Sequence, residues 1–245
     1  MIQGLYLATQ GMTTLMQKQD QIANNLANIN TTGFKQSHLF TQAYQRFLHD
    51  DERNPRLTRE IKASEVYTDH REGTLRKTGQ PLDVSIRGSG FFKVMTPQGV
   101  RYTRNGHFSM DANGFLVTGD GGKVMAREGF VRLDTRFPVS VSASGEVIQD
   151  GTTAAVIRIA DFEKPYRLLR TGNNYFTPQL PDNPEIETTG FMLKQGYLEG
   201  SNVNMIDNMV RMISAYRNFE ADQRALMAQD ETLQKAVREV GALRS

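Results

Sequence analysis

The sequence predicts an α+β fold in which long N- and C-terminal helices form a coiled-coil-like core domain, with a β-rich middle domain. Two observations carry this expectation. Apolar residues recur at alternating spacings of three and four at both ends of the chain, and the middle is cut by turn dipeptides into short β-branched and aromatic runs. They divide the 245 residues into an N-terminal helix over 1–35, an extended connector over 36–75, an outer β-rich domain over 76–200 and a C-terminal helix over 201–245.

The N-terminal seam runs Leu5, Ala8, Met12, Leu15, Gln19, Ile22, Leu26 and Ile29, seven of eight positions apolar, with Gly33 suited to a left-handed stop. The C-terminal seam runs Met205, Met209, Met212, Tyr216, Phe219, Gln223, Leu226, Asp230, Leu233, Val237 and Val240, nine of eleven apolar. Ser201, Asn202 and Asn204 offer N-caps, and Gly241 offers the stop. Helices of roughly 40 and 55 Å find little to cover them in a domain of this size. The seams are therefore expected to meet each other and copies in other subunits, and an intersubunit coiled coil fits the pattern better than an intramolecular bundle. Gln19, Gln223 and Asp230 interrupt the seams, as residues that fix register do. Asn24, Asn25, Asn28 and Asn30 crowd the end of the first helix, where Asn is a mediocre helix former. They either bond neighbouring backbone where helices pack closely or mark a frayed, solvated last turn.

Between the helices, residues 36–75 begin aromatic (Phe40, Tyr44, Phe47) and become polar and charged, as an extended connector would. Beyond them Asn105-Gly106, Asn113-Gly114, Gly121-Gly122, Ser144-Gly145, Asp150-Gly151 and Thr189-Gly190 punctuate the runs Leu82–Ile86, Phe91–Met95, Phe115–Thr118, Val139–Val141 and Val156–Ile159. Recurrence at short intervals predicts an antiparallel sheet or barrel.

Composition and motifs exclude most chemistry. The 38% hydrophobic and 23% charged content fits a packed, soluble chain, and 29 basic against 27 acidic residues leave a net charge of +2, with no global field for nucleic acid. Zero cysteines exclude disulfides and thiolate chemistry. His38, His49, His70 and His107 share no metal-ligand spacing, and no phosphate loop, dinucleotide glycine pattern or nucleophile elbow occurs. Asp111-Ala112-Asn113-Gly114 lacks the closing Glu of a calcium loop, since position twelve is Gly122, and it reads as a hairpin turn. No enzyme, cofactor, metal site, nucleic-acid partner or membrane insertion is expected, and the first residues show no secretory h-region.

Three blocks resemble the axial proteins of the bacterial flagellum, the rod and hook group. The first is Ala23-Asn24-Asn25-Leu26-Ala27-Asn28 followed by Thr31, Thr32, Gly33-Phe34 and Lys35. The second is Gly73-Thr74-Leu75, Pro81-Leu82-Asp83-Val84, Gly88-Ser89-Gly90-Phe91-Phe92 and Tyr102-Thr103-Arg104-Asn105-Gly106 with Phe108. The third is Leu198-Glu199-Gly200-Ser201-Asn202-Val203 followed by Met209-Val210, Met212-Ile213, Arg217 and Phe219-Glu220. The stretch 121–131 is less rich in Pro and Gly than the family's commonest form.

The resemblance implies a structural subunit of the basal-body rod that polymerises helically into the shaft carrying motor torque to the hook. Its partners would be copies of itself, other rod proteins and the flagellar type III export apparatus, and it would reach the periplasm-spanning rod without a cleaved signal peptide. The segment 230–241 and the compact stretch after residue 160 resemble the proximal-rod member more than the distal one. A distal-rod or hook-type subunit, or an extracellular β domain with helical oligomerisation arms, are the alternatives. The expected subunit contacts are Leu5, Met12, Leu15, Ile22, Asn24, Asn25, Leu26, Asn28, Ile29, Met209, Met212, Tyr216, Phe219, Leu226, Leu233 and Val237.

Overall fold

A computed structural model describes residues 2–48, 56–179, 183–188 and 190–242. The chain forms two compact units. One comprises residues 1–27, 37–69 and 204–245, and the other residues 28–36 and 70–203.

The first unit opens with α1 (Ile2–Ala27), followed by β1 (Ser37–Leu48) and β2 (Arg56–Thr68). These strands pair antiparallel in register from Ser37 against Thr68 to Leu48 against Arg56, with one irregularity at Phe40/Thr41. The stretch expected to run as an extended connector is thus a hairpin paired with itself. That satisfies backbone groups an isolated extended segment would leave to water.

The second unit is almost wholly β. In chain order it holds β3 (Leu75–Lys77), β4 (Val84–Gly88), β5 (Phe91–Thr96), β6 (Gly99–Thr103), β7 (Phe108–Met110), β8 (Leu116–Thr118), β9 (Lys123–Val124), β10 (Ser140–Val141), β11 (Glu146–Gln149), β12 (Thr152–Val156), β13 (Ile159–Asp161), β14 (Leu168–Arg170), β15 (Tyr175–Pro178), β16 (Ile186–Glu187), β17 (Phe191–Gln195) and β18 (Tyr197–Glu199). The largest sheet runs β14-β15-β6-β5-β9-β8-β7, with β13 joining β5 to β16. The smaller ladders are β10-β11-β12, β17-β4 and β18-β3, so the last strands before the C-terminal helix return to pair with the first strands of the unit.

Alternation on β5 divides the core in two. Phe92 and Val94 face a cluster with Val84, Ile86, Val124 and Val147, while Phe91 faces Tyr102, Phe162, Leu168 and Phe176. The turn dipeptides act as their chemistry predicts. Asp150 and Gly151 both have positive φ, 51° and 71°, and join β11 to β12 as a two-residue hairpin. Asp111 closes its turn by accepting the N–H of Asn113 at 2.9 Å and of Phe115 at 2.7 Å. The run expected over Val156–Ile159 is broken between β12 and β13.

α2 (Met205–Ala242) closes the first unit. The coiled-coil-like core of two long terminal helices is corrected. The described residues hold two helices of unequal length, 26 and 38 residues, against eighteen strands. A coiled coil buries both apolar positions of each heptad. On α2 one set of seam positions, Met212, Phe219, Leu226 and Leu233, is half-buried, while the other lies in solvent: Met209 is 45% exposed, Tyr216 is 56% exposed, and Gln223 and Asp230 are also exposed. A single apolar edge of α2 is covered, and the space beside α1 is shared with the β1–β2 hairpin of the same unit. α1 ends at Ala27, short of Gly33, and α2 runs through Gly241.

Candidate assembly surface

α2 starts where its capping chemistry says it should. Asn204 Oδ1 accepts the Asp207 N–H at 3.2 Å, and its carbonyl accepts the Asn208 N–H at 3.1 Å and the Asn208 side-chain amide at 2.7 Å. Asp207 lies in the first turn, where its charge suits the helix dipole, and pairs with Arg211 at 2.8 Å.

From that start the 3.6-residue period sorts α2 into faces. Asn208 and Ala215 are buried, and Met212 and Phe219 lie on the same side. The adjoining flank carries Met205, Ile206, Met209, Val210, Ile213 and Tyr216, 45–74% exposed. Six large apolar side chains on one flank of one helix make a contiguous apolar patch, the surface signature of a contact with another molecule.

The expected contact residues divide among several places. Leu5 and Val237 have side chains outside those described. Met12, Leu15 and Leu26 are half-buried on α1, and Ile22 is buried at 5% exposure. Met209 and Tyr216 are on the open flank, whereas Met212, Phe219, Leu226 and Leu233 line the covered edge. Ile206, Val210 and Ile213 fall outside the heptad seam, although Val210 and Ile213 belong to the third block of resemblance. Their spacing of four and three was legible, but the heptad template assigned the apolar side to their neighbours.

The Asn cluster has separate duties. Asn24 is exposed on α1. Asn25, 2% exposed, donates its amide to the Ser37 carbonyl at 2.8 Å and accepts the Ser37 N–H at 3.0 Å, tying the last turn of α1 to the start of β1. Asn28 and Ile29 lie in the turn after the helix and belong to the β-rich unit, where Thr31 bonds the Asn28 carbonyl at 3.1 Å and its side chain at 3.2 Å. Asn25 follows the first of the two alternatives, backbone bonding at a close approach.

The rest of that motif is built into the β-rich unit. Gly33, at φ +68°, donates to the Glu199 carbonyl at 2.8 Å, and a Cβ there would sit 2.5 Å from the Asn105 nitrogen, so only glycine fits. Phe34 is buried under the Arg170 guanidinium at 4.3 Å. Lys35 has no exposed surface and reaches Glu199 Oε1 at 2.6 Å, while Arg104, 3% exposed, reaches Glu199 Oε2 at 3.3 Å. Burial pushes the Lys35 ammonium below its ordinary value against the opposing pull of Glu199. This buried cluster was invisible to sequence reading, because its partners are 164 and 95 residues apart.

Comparison with known proteins places these features. Residues 5–35 match the model of the flagella basal body rod protein family, residues 85–152 the flagellar hook protein FlgE/F/G D1 domain, and residues 194–239 the C-terminal region of the flagellar basal body rod FlgEFG proteins. The chain is 31% identical to the flagellar basal-body rod protein FlgG of Buchnera aphidicola (96% of this chain, 98% of the relative). It is 31% identical to FlgG of Bacillus subtilis (97% and 98%) and 31% identical to FlgF of Rhizobium meliloti (98% and 99%). The three matched regions contain the motif with Gly33 and Lys35, strands β5 to β9 of the main sheet, and the strand and helix that carry Glu199 and the open flank, and with this end-to-end likeness the chain belongs to the flagellar basal-body rod protein family, as a structural subunit of the rod.

Proposed function

We propose that this rod subunit joins copies of itself and other rod proteins in a helical polymer through the open apolar flank of α2. The polymer acts as the shaft that passes motor torque to the hook. The flank is the observation that supports this reading: six apolar side chains that the rest of their unit leaves in solvent. Burying side chains of this size, already about half covered, contributes on the order of 1 kcal/mol each before ordering costs. A non-closing contact of this kind extends as a helix.

In this reading the chain reaches the rod through the flagellar type III export apparatus without a cleaved signal peptide, and it performs no catalysis and uses no cofactor. It takes the proximal place, which rests on the likeness of 230–241 and of the stretch after 160 to that member. The distal place is the second reading, favoured by relatives named FlgG at the same 31% identity as the FlgF relative. Basal bodies from cells lacking the chain separate the two: a proximal subunit's loss removes the shaft beyond its base, and a distal subunit's loss shortens it.

Ile206→Asp and Ile213→Asp test the surface. Both side chains are more than half exposed, so the monomer's unfolding should be unchanged, whereas a carboxylate buried in a contact costs several kcal/mol. Neither variant should enter basal bodies. Normal flagella built from either would overturn the assignment.

A further inference from the structure

The β-rich unit is made of residues 28–36 and 70–203, so the chain enters or leaves it at residues 28, 36, 70 and 203. Bonds inside the unit draw the segments beside these points onto one cluster. Lys35 donates to Glu199 Oε1 and, at 2.7 Å, to the Arg71 carbonyl. Gly73 donates its N–H to the same Glu199 oxygen at 2.9 Å. The Gln36 N–H reaches Asn202 Oδ1 at 2.7 Å, and the Asn202 amide reaches the Arg71 carbonyl at 3.1 Å. Arg104 anchors the cluster to the sheet, bonding Glu199 at 3.3 Å and the Gly88 carbonyl at 2.7 Å.

We propose that the buried Lys35–Glu199–Arg104 cluster is the common anchor of the β-rich unit's chain ends, so that residues 31–36, 71–73 and 199–203 order and release as one event. Lys35 and Glu199 are its positioning residues. The physical ground is that removing one member of a buried, hydrogen-bonded charge group strands the others without compensation. Lys35 sits on the segment 31–36, Glu199 on the segment leading to α2, and Glu199 also receives Gly73. No segment can leave without taking a hydrogen-bond partner from each of the other two. Long-range cooperativity of this kind turns three local segments into one opening unit.

Hydrogen exchange on the full-length monomer tests this and is readable wherever the subunit sits in the rod. The reporters are the amides of Gly33, Gln36, Gly73 and Gly200, which bond the Glu199 carbonyl, the Asn202 side chain, the Glu199 carboxylate and the Thr74 carbonyl in turn. Lys35→Met, and the near-isosteric Glu199→Gln should Lys35→Met fail to fold, are each expected to speed all four together by roughly a hundredfold. The amides of residues 91–96 should keep their protection. Asn174→Ala removes the 3.0 Å bond to the Thr32 carbonyl, with some backbone strain at its own φ of 59°, and should loosen residues 31–36 alone. Faster exchange confined to Gly33 and Gln36 in the charge variants would overturn the proposal. So would equal loosening of all three segments by Asn174→Ala, or loss of protection over 91–96 in step with the reporters.

Discussion

Replacing Asn25 with alanine isolates one side chain's share in joining the first helix to the first strand. Asn25 is 2% exposed and Ser37 is 4% exposed, so neither end of the pair has ready access to water. The side chain supplies both bonds that the Ser37 backbone makes with it, donating at 2.8 Å and accepting at 3.0 Å. Alanine removes both and leaves a buried N–H and a buried carbonyl, each costing about 1–3 kcal/mol, so a loss of roughly 2–6 kcal/mol is expected. Gln17→Ala is the control, a change to alanine at an exposed position of the same helix, and should move stability by less than about 0.5 kcal/mol. The assay is paired: urea unfolding followed by helix circular dichroism, and exchange of the Ser37 amide in the monomer. Asn25→Ala should lower the midpoint and speed Ser37 by at least tenfold. Equal effects from the two variants, or an unchanged Ser37 amide in Asn25→Ala, would refute the reasoning.

Two more outcomes follow from particular contacts. Gly33→Ala adds a Cβ against the Asn105 backbone at positive φ and should cost roughly 2–4 kcal/mol, whereas Gly79→Ala, also at positive φ but in open space, should cost about 1 kcal/mol; equal losses in thermal unfolding would show that the close approach does not matter. Among the described tyrosines, burial pushes three phenols up, assisted by Tyr166 donating to Asp161, Tyr102 to Glu185 and Tyr175 to Asp120, with Tyr166 reaching about 12 and the other two higher. Because these groups hold their protons longer folded than unfolded, their contribution is intact below the ordinary phenol value of 10.0 and is lost as pH rises above it. Phenolate absorbance should show at least three late-titrating tyrosines, and Tyr175→Phe should flatten the alkaline fall in stability; a single titration near the ordinary value would contradict both.

The turns and faces were legible in the sequence where their cause is local. Asp150-Gly151 turns because both residues tolerate positive φ, Asp111 closes a hairpin because its carboxylate reaches amides two and four residues on, and Asn204 caps α2 within its own first turn. The apolar runs at both ends marked helices for the same reason, since periodicity records which residues avoid water. It does not record what covers them. Met212 and Met209 look alike in a heptad, yet one lies on the covered edge of α2 and the other on the open flank, and only the first unit's packing decides which. Lys35 reads as a surface cation following a Gly-Phe pair, and nothing near it in the chain announces Glu199 or Arg104. A buried ion cluster draws its stability from groups brought together across the fold, so no spacing along the sequence carries its signal, and tertiary structure alone showed that the end of the N-terminal motif is part of the β-rich unit.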